Sequence, residues 1–382
     1  VAPAFDSARD HLRAICESET DLGRLRVGVI RRLQRTLAFD AYAWLLTDPE
    51  TFVGAAPLAD VPELSDLPQL IRLKYLTTVN RWTMLAPDTA TTLARATDGD
   101  LQRSRVWAQL LHRYDVTDVA SLVFRDGYGL WGFLDLWRRR RRPAPADHHS
   151  PEVFSDGELA LLAGVTPMLT RALRRGVAAT FRTAPPTGAG AVGTAPAPAR
   201  PDRATAAEPV VLMLGPNLER LAQTPRTDAY LRTLLPPDGD AAPVPAAAYN
   251  VAAQLLAREQ GVDPSPPTAR VHLSRGQWLT LRAARMLSPD ASHRADRLDD
   301  APIAVGIEPT PAGDRAGLFA RAHGLSTRER ELLLHLLDGA DTHDIAAAMH
   351  LSEHTVQDHL KSIFTKTGSR NRRALISHAV GA

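Results

Sequence analysis

Lysine is almost missing from this chain. Lys74, Lys361 and Lys366 are the only three, so 42 of its 45 basic residues are arginine. No Gly-Lys pair occurs, which excludes a phosphate-binding P-loop. Cysteine is scarcer still. Cys16 stands alone, so neither a disulfide framework nor a multi-cysteine zinc or iron–sulfur site is available, and a buried, inert thiol is expected. No run of 18 uncharged apolar residues exists, so nothing is expected to span a membrane. The opening VAPAFDSARDHLRA lacks a basic stretch followed by an apolar core, and a cytoplasmic, nucleoid-associated protein is expected. Catalytic signatures are missing as well: there is no Gly-x-Ser-x-Gly elbow, no His-Glu-x-x-His and no Gly-x-Gly-x-x-Gly opening a helix. An enzyme is therefore not expected. No Cys or His stands in a context for haem or a bilin, so no cofactor is expected either.

What is present begins with balance. At 382 residues two or three domains are natural, and a net charge of +2 means that nucleic-acid binding must rest on a local patch. The informative stretch is Leu325 to Arg373. Ser326 and Glu329 form the Ser-x-x-Glu pattern of a capped helix start. Leu332, Leu333, Leu336 and Leu337 give that helix one apolar face, and Gly339 fits its end. A second short helix from about Thr342 to Met349 buries Ile345, Ala346 and Met349. His350-Leu351-Ser352 is a tight turn, and Ser352 caps a third helix that Gly368 stops. On a helical wheel Val356, Leu360, Ile363 and Thr367 share one face; His354, Asp358, Lys361 and Thr365 share the opposite one, with Gln357 beside them. Two helices joined by a three-residue turn, the second with a polar outer face, can present a helix to a DNA major groove.

These residues carry a resemblance. Leu325-Ser326-x-Arg328-Glu329-x-Glu331, Gly339, Ile345-Ala346, Leu351-Ser352, Thr355-Val356, His359, Ile363 and Lys366-Thr367-Gly368 resemble the LuxR/GerE-type helix-turn-helix. It covers about the last 65 residues. The resemblance implies a four-helix DNA-binding domain at 318–382, double-stranded DNA and RNA polymerase as partners, and a homodimer, since a single half-site is short. The candidate DNA-binding residues are His354, Gln357, Asp358 and Lys361 at base edges, and Thr355 at a phosphate. Lys361, Lys366, Arg370, Arg372 and Arg373 form a cationic run with no acid between them. Gln357 departs from the Lys or Arg that the family commonly has there. Asp358 either accepts from a cytosine or repels phosphate. A phosphoacceptor receiver domain, a usual partner of this unit, needs a lysine after a late strand; Lys74 sits in a helical-looking segment, so phosphorylation control is not expected.

Upstream, helical intervals run from about Asp6 to Leu37 with a break near Glu19 to Asp21. Asp40 to Leu46 reads as a strand, and Leu67 to Tyr75 and Gln102 to Arg113 as helices. Asp118 to Phe124 and Leu130 to Trp137 form a hairpin about Asp126-Gly127, and Ser155-x-x-Glu158 opens a helix to about Arg175. That order, with the phrases FDAYAWLLTDPET and LIRLKYLTTVNRW, resembles the GAF-like half of actinobacterial LuxR-type regulators and implies an α+β sensor domain at 1–178. Residues 179–208 are Ala, Pro, Gly and Thr with few large apolar residues, and read as a disordered linker. Strands at Pro209 to Leu214 and Ile303 to Ile307, a helix from Tyr249 to Glu259 and a hairpin of Val271 to Leu273 with Trp278 to Ala283 resemble an α+β PAS-like domain at 209–312.

Other features have two readings. Arg138 to Arg142 is a second nucleic-acid contact or a solvated loop, the latter favoured by its like charges. Trp44, Trp82, Trp107, Trp131 and Trp137 line an effector pocket or pack a core. His350 and His354 are surface residues, with no third metal ligand in view. Helix residues Leu375 and Ala379 are candidates for a dimer interface, as is a pairing of the 155–175 helix with the first. The sequence thus describes a DNA-binding transcription regulator under sensor control. The alternatives are a sigma-factor region-4-like promoter reader and a ligand-binding sensor acting through protein contacts only.

Overall fold

The computed structural model describes residues 2–140, 153–182, 210–234, 243–273, 277–287 and 300–381. The first unit opens with α1 (Ala2–Ser18) and α2 (Leu22–Gln34), and Asp21 in the break between them caps α2 by accepting from the Arg24 backbone N–H at 2.8 Å. It continues with β1 (Ala41–Thr47), β2 (Gly54–Asp60), α3 (Leu67–Leu76), β3 (Ala90–Thr92), α4 (Leu93–Ala96), α5 (Arg105–Gln109), β4 (Val116–Asp126), β5 (Gly129–Arg139) and α6 (Asp156–Ala179). The strands form one antiparallel sheet in the order β2-β1-β5-β4-β3. Alternation along β4 sends Ala120, Leu122 and Phe124 to one face, where they pack with Trp44 and Leu134 beneath α1, α2 and α6. Val119, Val123 and Phe133 go to the other face, on the side of α3 and α5. Helices on both faces explain why β4 and β5 read as near-continuous apolar runs.

The second unit contains β6 (Val210–Leu214), β7 (Arg220–Gln223), α7 (Thr227–Leu234), α8 (Ala246–Glu259), β8 (Thr268–His272), β9 (Trp278–Arg285) and β10 (Ile303–Pro309). Its antiparallel sheet runs β7-β6-β10-β9-β8. Ala246 to Gln254 of α8 are all buried, because α8 lies against its own sheet and also against α3 and β2 of the first unit. The chain ends in five helices: α9 (Ala312–Ala322), α10 (Thr327–Leu337), α11 (Thr342–Met349), α12 (Glu353–Thr367) and α13 (Arg372–Val380). Two antiparallel α+β units and an all-helical C-terminal domain agree with the expected multidomain class.

Several expectations need correction. Residues 102–113 are not one helix: α5 spans only Arg105–Gln109, flanked by 3-10 turns at Leu101–Arg103 and Leu111–Tyr114, with Leu110 at φ −140° between. The stretch 179–208 is not linker from its start. Phe181 is fully buried, stacked on Trp278 at 5.1 Å and edge-on to Phe319 at 5.5 Å; residues 183–208 lie outside the described residues. Arg138 is no loop residue. It lies in β5, one residue before the strand's end, is buried, and forms an ion pair with Glu158 at 2.6 Å while its guanidinium covers the Phe154 ring. Arg141 and Arg142, and residues 274–276 of the expected second-unit hairpin, lie outside the described residues. A boundary at 318 cuts α9, which starts at Ala312. Leu375 and Ala379 are buried within their own chain where α13 meets α9 and α10, which removes them as dimer contacts. α1 and α6 do pack on each other, within one chain. Strands β2, β3 and β7 and helices α7 and α9 gave no signal; β2 contains Pro57, and β7 is exposed throughout. Trp44, Trp82 and Trp131 are buried in cores.

Two buried arginine pairs join the units reciprocally. Arg270 of β8 donates to both carboxylate oxygens of Asp48, at 2.6 and 2.7 Å, and Asp48 is completely buried. Arg81 of the first unit meets Asp263 of the second at 3.0 Å and also donates to Gln254. Removing one member of such a pair strands the other charge. Asp48→Ala should destabilise the protein by about 3–5 kcal/mol, read as a lower urea midpoint; a loss under about 1 kcal/mol would mean that water reaches Arg270.

Candidate nucleic-acid interface

The C-terminal helices are set by their caps. Ser326 and Glu329 form a full capping box at α10, with the Glu329 carboxylate accepting from the Ser326 N–H at 2.6 Å. Leu332, Leu333 and Leu336 face inward, and Gly339 takes φ 85°, a left-handed conformation that follows the helix end. Asp341 caps α11, whose buried residues are Ile345, Ala346 and Met349. His350 ends it at φ 54°, the left-handed residue of the turn. Ser352 then accepts from the Thr355 N–H at 3.1 Å and starts α12, which Gly368 closes at φ 67°.

The buried residues of α12 are Val356, Leu360, Ile363 and Thr367, as the wheel predicts. His354, Gln357, Asp358 and Lys361 are all exposed along its outer side. They contact one another and the neighbouring helix. Lys361 pairs with Asp358 at 3.1 Å, and His354 approaches the same carboxylate at 3.6 Å. Gln357 donates to the Thr342 hydroxyl at 3.4 Å. The hydrogen bond and charge of Lys361 hold the Asp358 carboxyl below its ordinary range. Asp358 therefore stands as part of a locally compensated cluster rather than as a bare negative charge.

The remaining candidates divide. Thr355 is half-buried, its hydroxyl 2.9 Å from that of Ser352. Arg370 and Arg373 are exposed beyond the end of α12. Arg372 is half-buried and donates to the Thr342 hydroxyl. Lys366 turns inward, its ammonium 2.6 Å from the Glu329 carboxylate. Two of the expected five cations are thus paired with carboxylates, Lys361 with Asp358 on the surface and Lys366 with the buried Glu329.

Glu329 is the residue whose full role the sequence conceals. Besides capping α10, its other oxygen accepts from the Ser362 hydroxyl at 2.6 Å, so one buried carboxylate ties the first helix of the domain to the middle of α12. The Ser-x-x-Glu spacing announces the cap; nothing local announces partners 33 and 37 residues away. Among the described residues no group of three or more His, Cys, Asp or Glu side chains could hold a metal ion. No described helix is long and apolar enough to cross a membrane.

Residues 323–379 match the family model described as "Bacterial regulatory proteins, luxR family". The C-terminal segment is a helix-turn-helix domain of that type, and this supports a DNA-binding transcription regulator. No curated protein matches the chain.

Burial pushes the Glu329 carboxyl upward, but hydrogen bonds from Lys366, Ser362 and the Ser326 backbone outweigh it and hold it at about 2. A carboxyl depressed from an ordinary 4.5 contributes stability that is whole above about 4.5 and is lost as pH falls toward about 2. Acid titration of helical signal should show this loss in the wild type, and Glu329→Gln should flatten it while lowering stability at neutral pH. An unchanged acid transition in Glu329→Gln would place the titrating group elsewhere.

Proposed function

We propose that the chain is a transcription regulator whose helix α12 enters the major groove of promoter DNA, under control of the two upstream α+β units. One observation carries this reading: the outer side of α12 is exposed and polar from His354 to Lys361, while its opposite side is packed on α10 and α11. In that pose Lys361 addresses guanine O6 and N7, Gln357 addresses adenine, and Asp358, with His354 beside it, accepts from cytosine N4. Breaking the Lys361–Asp358 pair on docking frees both groups for bases. Arg370 and Arg373 supply phosphate contacts. Thr355, at the start of α12, completes the phosphate anchor. Lys366 and Arg372 act mainly by positioning, since both already hold neighbouring helices.

The upstream region reads as a GAF-like unit followed by a PAS-like unit. The order of helices and strands supports this, as do the two separate antiparallel sheets. Double-stranded DNA is the direct partner and RNA polymerase the downstream one. A homodimer in the cytoplasm would present two reading helices to adjacent half-sites. Its contact surface excludes the buried side of α13.

Lys361→Ala in the full chain should weaken binding to a selected operator by about 1–3 kcal/mol in gel-shift titration at fixed salt and relax preference at one base pair. Arg373→Ala should instead weaken all sequences about equally and lower the salt slope by about one. Full operator affinity in Lys361→Ala would remove α12's outer face as the reading surface.

A further inference from the structure

A cavity of about 560 Å³ lies beneath the first sheet, between β1, β5 and α3, and its roof comes from the second unit through Val244, Ala246 and Asn250. Its walls are mostly aliphatic. Such a space is too apolar to be well filled by water, which needs two or more polar partners, and left empty it forfeits packing contacts along its whole lining. Well-packed interiors rarely hold voids much larger than one water molecule. An apolar cavity of about 150 Å³ accepts benzene, so this one accommodates roughly 20 heavy atoms, the range of small-molecule sites.

Its polar groups are few and specific. Lys74 and Asp135 form an ion pair at 2.8 Å in the lining, and Ser121 donates to the same carboxylate at 2.6 Å. The two charges cancel, so the cavity offers no net charge to a ligand. Asn250, 1% exposed, is fixed by donating its amide N–H to the Ala246 carbonyl at 2.8 Å. Its Oδ1 is buried beside Gly54 and has no accessible surface toward the cavity. Leu64, also in the lining, is 63% exposed, which places an apolar side chain at the rim.

We infer that this cavity binds a neutral, predominantly apolar small molecule, matched to its aliphatic walls and to the internally paired charges of Lys74 and Asp135. The ligand then touches both upstream units at once, through α3 and the sheet of the first and through α8 of the second. This site rests on the sensor reading of the upstream region for its purpose, but its occupancy is measured without DNA.

N-phenyl-1-naphthylamine is a suitable probe: it is neutral, of matching size and brightens in apolar surroundings. Its sulfonated relative, 1-anilinonaphthalene-8-sulfonate, has the same skeleton with a negative charge. The 382-residue chain should bind the neutral probe at one site per chain and the sulfonate at least tenfold more weakly. Ala43→Phe and Val79→Trp obstruct opposite walls, and whichever variant keeps the wild-type circular dichroism spectrum should abolish binding. No saturable binding of the neutral probe, equal binding of both probes, or wild-type binding in a folded obstructed variant would each overturn the assignment. Gel shifts with and without the probe then address control separately: unaltered operator affinity would leave the cavity standing and remove its link to DNA reading.

Discussion

Two arginines, each reaching out of one upstream unit into the other, hold the arrangement on which the rest depends. Arg270 closes on Asp48 and Arg81 on Asp263, and all four side chains are nearly or fully removed from water. A buried ion pair is a weak source of net stability, since desolvation cancels most of its attraction. Its value lies in what it forbids: any sliding of one sheet against the other leaves two charges unpaired in an apolar interior. The reciprocity matters, because two clamps fix an orientation where one would leave a pivot. Helix α8 is buried from Ala246 to Gln254 because both units pack on it. The cavity roof is therefore held in place by charge and by apolar contact together.

The C-terminal domain is joined to this body by ring packing and by two looser ion pairs of α9, Arg321 with Glu50 at 3.5 Å and Asp314 with Arg282 at 3.6 Å. Phe181 leaves the end of α6 and lies between Trp278, which starts β9, and Phe319 in α9. Arg321 of α9 donates to the Tyr128 carbonyl at 3.0 Å, and Arg315 to the His378 carbonyl at 2.5 Å, so α9 is held to the first unit and to α13. Each of the three parts of the chain contributes to the junction, the C-terminal part through both Phe319 and His323. A change in the relative position of any two must disturb the third.

The legible parts of the fold are those encoded locally. Ser326 with Glu329, Ser155 with Glu158, Ser352, Gly339 and Gly368 fix helix ends within a few residues, and α12's buried face follows from spacing alone. The β4–β5 hairpin was equally readable, because Asp126-Gly127 sits between two long apolar runs. What escaped was decided at a distance. β2 is recruited by pairing with β1 despite Pro57, and β7 is an exposed edge without alternation. Arg138 reads as the start of a charged run, yet Glu158 and the carbonyls around it draw it into the core. In the candidate DNA interface the exposed side chains were readable from the wheel. The inward turn of Lys366 was not, since its partner lies 37 residues away.

The three lysines occupy three different places. The Lys74 side chain, 17% exposed, lines the cavity; Lys366, 36% exposed, braces the helix-turn-helix from within; Lys361, 73% exposed, stands on the outer face of α12. Every other side-chain cation is an arginine, whose guanidinium stays protonated and resists acylation at neutral pH. Among side chains, amine-directed chemistry on this protein is thus reduced to a three-position readout. Graded reactivity at Lys361, Lys366 and Lys74 would report, in one mass spectrum, the state of the reading face, of its internal brace and of the cavity.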